Sequence, residues 1–66
     1  MRGKVKWFDM QKGWGFIREE NGQQYFCHWR DIKSGRFKFL KEGERVAFDI
    51  EETPKGLKAV NITIEG

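Results

Sequence analysis

Cys27 and His28 are the one thiol and the one imidazole in the chain, and they are adjacent. A thiol beside an imidazole is raw material for a cysteine nucleophile or for part of a metal site, and both uses need the two groups to converge. They fall in QYFCHW, Gln24 to Trp29, which alternates as a strand does, so their side chains point to opposite faces and cannot converge. No second Cys or His is present to complete a metal shell, and no Walker-type phosphate loop occurs. The chain is therefore expected to be no enzyme, to hold no metal or cofactor and to take no small-molecule substrate.

The remaining chemistry lies in rings and cations. KGWGFI at Lys12 to Ile17 sets Trp14 and Phe16 between glycines beside a lysine, and YFCHW at Tyr25 to Trp29 packs four more rings into five residues. Aromatic residues make up 15% of the chain, a share that a domain this small would be expected to bury unless the rings serve something outside it. Flat rings next to lysines match single-stranded nucleic acid, in which every base has a π-face and every nucleotide a negative phosphate. Stacking of this kind is worth roughly 1–3 kcal/mol per base and tolerates any sequence. Residues 1–18 carry Arg2, Lys4, Lys6, Lys12 and Arg18 against Asp9 alone, so the basic end is also an aromatic end. Charge by itself is equally consistent with keeping a small domain soluble.

The elements that must position these groups are short. In GKVKWF, alternation runs from Gly3 to Lys6; it then covers Trp14 to Glu19, Gln24 to Trp29, Arg45 to Glu51 and Leu57 to Ile64, which predicts five strands. Asn21-Gly22 predicts a hairpin turn, Pro54 another turn, and Arg30 to Ile32 a single helical turn. With 66 residues and no long helical period, the expected fold is one all-β domain, residues 1–66, closed into a small barrel that leaves no open sheet edges. A lone cysteine excludes an internal disulfide, and neither a signal peptide nor a membrane span is legible, so a cytoplasmic monomer is expected.

Strand alternation also sets facing. With Ile17 and Cys27 inward, Trp14, Phe16, Phe26 and His28 lie outside on neighbouring strands as one platform, and Val46, Phe48, Ile50, Val60, Ile62 and Ile64 are left to fill the core. The inverse assignment would place a Trp, two Phe and a titratable ring inside a narrow barrel and expose the thiol. Gly13 and Gly15 fit either close approach of a strand of bases or a turn and a bulge. Alternation does not place Trp7, which falls in register with Val5 unless a bulge intervenes, nor Trp29, which follows Cys27 at a strand end.

GKVKWF, KGWGFI, YFCHW, GRFKFLKEGERVAFDI and KGLKAVNI together resemble the cold-shock domain, over Gly3 to Ile64 without a large gap. The family pairs an RNP1-like KGFGFI with an RNP2-like VFVHF on adjacent strands of a five-stranded antiparallel OB-fold barrel, and stand-alone bacterial members have this length. The resemblance implies base stacking by Trp7, Trp14, Phe16, Phe26, His28, Trp29 and Phe37, contacts from Lys6 and Lys12 to phosphates or base edges, and a basic contact at Lys55. It implies single-stranded RNA and DNA as partners, a role in the stress response, and action as a passive RNA chaperone. Trp14 replaces the usual Phe or Tyr, Tyr25 and Cys27 replace two interior valines, Gln24 stands where an acid is common, and Arg30-Asp31-Ile32 replaces a small-residue triplet. The alternative is a small-barrel module gripping a proline-rich peptide; such grooves usually carry acids, whereas the ring-bearing half here is basic.

Overall fold

The computed structural model describes residues 1–33 and 39–65. Five strands, β1 (Arg2–Asp9), β2 (Trp14–Glu19), β3 (Gln24–His28), β4 (Arg45–Thr53) and β5 (Gly56–Ile64), close into a barrel in the order β1-β2-β3-β5-β4. Four seams are antiparallel, and β3 meets β5 in parallel through Phe26 and Lys58. This is the closed all-β barrel that the spacing of the strand patterns predicts, and it has the five strands of the OB-type barrel that the resemblance implies.

The connections follow from local chemistry. Between β1 and β2 the Asp9 carboxylate accepts the N–H groups of Gln11 and Lys12 at 3.0 and 2.9 Å, and Gly13 closes the turn by donating to Asp9 O at 2.7 Å. In the β2–β3 hairpin the Asn21 side chain accepts from Gln23 N–H at 2.9 Å, the self-bonding that makes Asn a turn former. Trp29–Asp31 form a single 3₁₀ turn, one residue ahead of the Arg30–Ile32 expectation.

Val5, Ile17, Tyr25, Cys27, Ile32, Leu40, Val46, Phe48, Ala59 and Ile62 form one buried cluster, with Phe8 and Ile64 packed against it. Two expected core positions, Val60 and Ile50, need correction. Val60 is only half-buried and Ala59 takes the interior place, because β5 carries a bulge: Ala47 pairs with Thr63, but Asp49 pairs with Val60. Asn61 absorbs the extra residue at φ 52° and donates its side-chain N–H to Asp49 at 2.9 Å, and past it the inward parity is inverted. Ile50 is 37% exposed, since β4 is buried only at Val46 and Phe48 and its residues from Asp49 to Glu52 are all exposed. Ile64 is half-buried at the rim of the cluster.

Candidate nucleic-acid interface

The platform is assembled by register. Trp14 pairs with His28 and Phe16 with Phe26 across β2–β3, so these four side chains share the outer face, as alternation predicts. Trp7 joins them through a bulge in β1: Val5 pairs with Ile17 but Trp7 pairs with Phe16, leaving Lys6 as the extra residue. The inserted residue turns Trp7 outward, where it is 37% exposed, while Val5 stays buried.

The rings touch one another in a chain. Trp7 lies 5.0 Å from Trp14 and 6.1 Å from Phe16; Phe16 meets both Trp14 and Phe26 edge-on at 6.0 Å; Trp14 stacks with Phe26 at 5.8 Å and 30°. Two of these contacts are edge-on, two tilted and one stacked, so the rings brace one another while Trp7 and Phe26 stay exposed.

Trp29 sits apart from the strands. Its N–H donates to Gly13 O at 2.9 Å and its indole occupies the space in which a side chain on Gly13 would stand, with Gly13 at φ 76°. The ring leans on His28 at 5.6 Å and remains 43% exposed, extending the patch past the end of β3. His28 Nδ1 accepts from Arg30 N–H at 3.3 Å, so in the neutral ring the proton resides on Nε2. Trp7, Trp14, Phe16, Phe26, His28 and Trp29 are thus gathered on one side of the barrel.

The three lysines that the resemblance implies are all exposed. Lys6 is exposed in the β1 bulge beside Trp7, Lys12 in the turn that leads into Trp14, and Lys55 in the β4–β5 turn. Phe37 lies outside the described residues. Sequence reasoning passed over a shallow cleft of about 240 Å³ lined by Phe26, His28, Arg30, Asp31 and Lys58, in which Lys58 Nζ lies 3.4 Å from Asp31. The parallel β3–β5 seam creates that neighbourhood, and no local pattern announces it.

Cys27 and Tyr25 point inward. Burial pushes the Cys27 thiol up to about 12, which keeps it protonated at neutral pH. Tyr25 donates its hydroxyl to Glu19 Oε1 at 2.6 Å, and that bond, with burial, raises its pKa. Both groups favour the neutral form when folded, so the stability they contribute is present below their unfolded values and drains away as pH rises toward the folded ones. Native protein at pH 8 is expected to react with a thiol reagent ~10²-fold or more slowly than unfolded protein, because labelling must await opening. Labelling at the unfolded rate would place Cys27 on the surface.

A closed five-stranded barrel bearing an aromatic outer face on β1–β3 defines the cold-shock domain, and the chain belongs to that family: the model of the 'Cold-shock' DNA-binding domain matches residues 1–65. The chain is 55% identical over 62 residues to the major cold shock protein of Streptococcus pyogenes, covering 94% of this chain and 92% of that one. It is 50% identical to a cold shock-like protein of Thermotoga maritima, covering 97% of each, and 48% identical to cold shock protein CspC of Bacillus subtilis, covering 92% of each. Among solved structures, Drosophila Unr CSD456 superposes with a TM-score of 0.70 at 18% identity, over 98% of this chain and 26% of that one, a likeness of fold. Among the described residues no helix is long and apolar enough to cross a membrane, and no cluster of three or more His, Cys, Asp or Glu could hold a metal.

Proposed function

We propose that this protein binds single-stranded RNA and DNA by stacking bases on Trp7, Trp14, Phe16, Phe26, His28 and Trp29, and that it acts as a passive RNA chaperone in the cytoplasm. The observation that carries the reading is the chain of exposed rings on β1–β3, with neighbouring centroids 5.0 to 6.1 Å apart. Lys6, Lys12 and Lys55 supply phosphate contacts around them, Phe37 adds a further ring, and the domain works as a monomer. Six or seven stacks, less the ordering of a flexible strand, correspond to affinities between roughly micromolar and nanomolar.

Duplex hides the base faces that a platform needs, so oligo-dT of about seven nucleotides is expected to bind far more tightly than a short hairpin stem at the same salt, read by quenching of the three tryptophans. Equal affinity for the two would reject the reading. With Lys6, Lys12, Lys55 and at most one further cation at phosphates, the salt slope for the heptamer is expected to be no steeper than about −3.

Chaperoning follows from mass action. A protein that binds the open strand and not the stem shifts the equilibrium by about 2.7 kcal/mol at a hundredfold excess over Kd. That opens a marginal hairpin and leaves a long stem closed. A fluorophore–quencher RNA hairpin should therefore open without ATP, in proportion to bound protein. A requirement for ATP, or opening at far below one protein per hairpin, would rule the mechanism out.

A further inference from the structure

The strand register places three cations side by side where the rings stop. Arg18 continues the outward series Trp14, Phe16, Arg18 along β2; it pairs with Lys4 on β1, and Lys4 pairs on its other side with Arg45 on β4. All three are exposed, and none has an ion-pair partner within 4.0 Å among the described residues. Like charges directly opposite one another across strands are destabilising, so the row opposes the fold that displays it. They line a groove of about 620 Å³.

Among the described residues three acids and a fourth cation, Arg2, also line the groove, which leaves the cations in excess by one, and two of the acids have partners of their own. Glu65 lies 3.3 Å from Arg2, beside the row, and Glu19 accepts the Tyr25 hydroxyl; Glu20 alone has no described partner. Lys6 is exposed in the β1 bulge, between Lys4 and Trp7 along the strand.

We propose that Arg18, Lys4 and Arg45 carry the phosphates of nucleotides that run off one end of the ring platform, lengthening the footprint of a bound single strand by about three sugar-phosphate units. The occupant is the continuation of the strand on the rings, because the row is continuous with them and complementary to phosphate and offers no ring on which a base could stack. The inference rests on the binding proposed above.

The test uses dT7 with three abasic nucleotides added at the 5′ end or at the 3′ end. Abasic units cannot stack, so they leave the register on the rings unchanged and report phosphate contacts alone. One tail polarity is expected to tighten binding roughly tenfold at about 50 mM salt, with a slope steeper by about 2 and the gain gone by about 200 mM. The other polarity should gain little. In Arg45→Gln and in Lys4→Gln the ratio of tailed to untailed affinity should fall toward one. Relief of like-charge repulsion means that neither variant is expected to lower Tm, so both should fold. If dT7 binds and neither tail helps, or if both tails help equally and the gain survives both substitutions, the row is only a solvated face and the inference is overturned. If dT7 itself does not bind, the platform reading fails first and the row falls with it.

Discussion

Phe48→Ala is expected to leave the domain largely unfolded at 25 °C, whereas Phe26→Ala should leave it folded and weaken its binding. Phe48 is 3% exposed and packs at 5.3 Å on the Tyr25 ring, so its removal opens a cavity in a core of few side chains. Deleting a buried Phe costs ~3–5 kcal/mol. A chain of this length holds only about 3–10 kcal/mol in all, so the loss consumes much or all of it. Phe26 is 36% exposed, and its ring meets those of Trp14 and Phe16 on the outer face. Its loss should cost ~1–3 kcal/mol of binding, about 5- to 150-fold in Kd, with little change in Tm. Urea denaturation and tryptophan titration of both variants separate the two outcomes. Unfolding by Phe26→Ala, with binding alone weakened by Phe48→Ala, would invert the assignment of faces.

Gly15→Ala should be nearly as damaging, although it adds a single methyl group. Gly15 pairs with Phe8 on β1, and a side-chain carbon built there falls on the Trp7 carbonyl oxygen and 2.6 Å from Phe8 Cα. Both obstacles are backbone, so no rotamer change relieves them, and β1 must move off β2 at the bulge that aims Trp7. Overpacking of this kind costs up to ~3 kcal/mol. Because Trp7 would move with its strand, the fraction that remains folded should also bind more weakly. Gly22→Ala is the control: its φ of 94° disfavours a side chain, yet nothing lies within 4 Å. That substitution should cost only about 1–2 kcal/mol and leave binding intact. Equal Tm for Gly15→Ala and the parent would mean that β1 does not approach β2 as closely as the register requires.

The two Gly substitutions mark where local sequence stops being informative. Gly15 reads equally well as a bulge residue or as a gap for bases, and only the position of β1 shows that its missing side chain accommodates another backbone. Gly13 is similar: it is a turn residue by its surroundings, and the space it leaves is taken by Trp29, sixteen positions later. Trp29 could not be oriented from its own neighbours because β3 ends one residue before it and the chain enters a 3₁₀ turn.

Period-two alternation, Asn-Gly and Pro turn chemistry, and a lone buried thiol were sufficient to specify five strands, to put Trp14, Phe16, Phe26 and His28 on one face with Ile17 and Cys27 on the other, and to exclude a Cys-His couple. Those are properties of a single strand, set by the direction of each Cβ. The tertiary structure decided the face of Trp7, the exchange of Ala59 for Val60, the Asp31–Lys58 pair and the alignment of Arg18, Lys4 and Arg45. Each depends on which residue of a distant strand lies opposite. A bulge at Lys6 or Asn61 shifts that pairing by one, and one residue is enough to reverse a side chain's face. Such shifts arise as strands bend to close the barrel, and closure is a property of all five together.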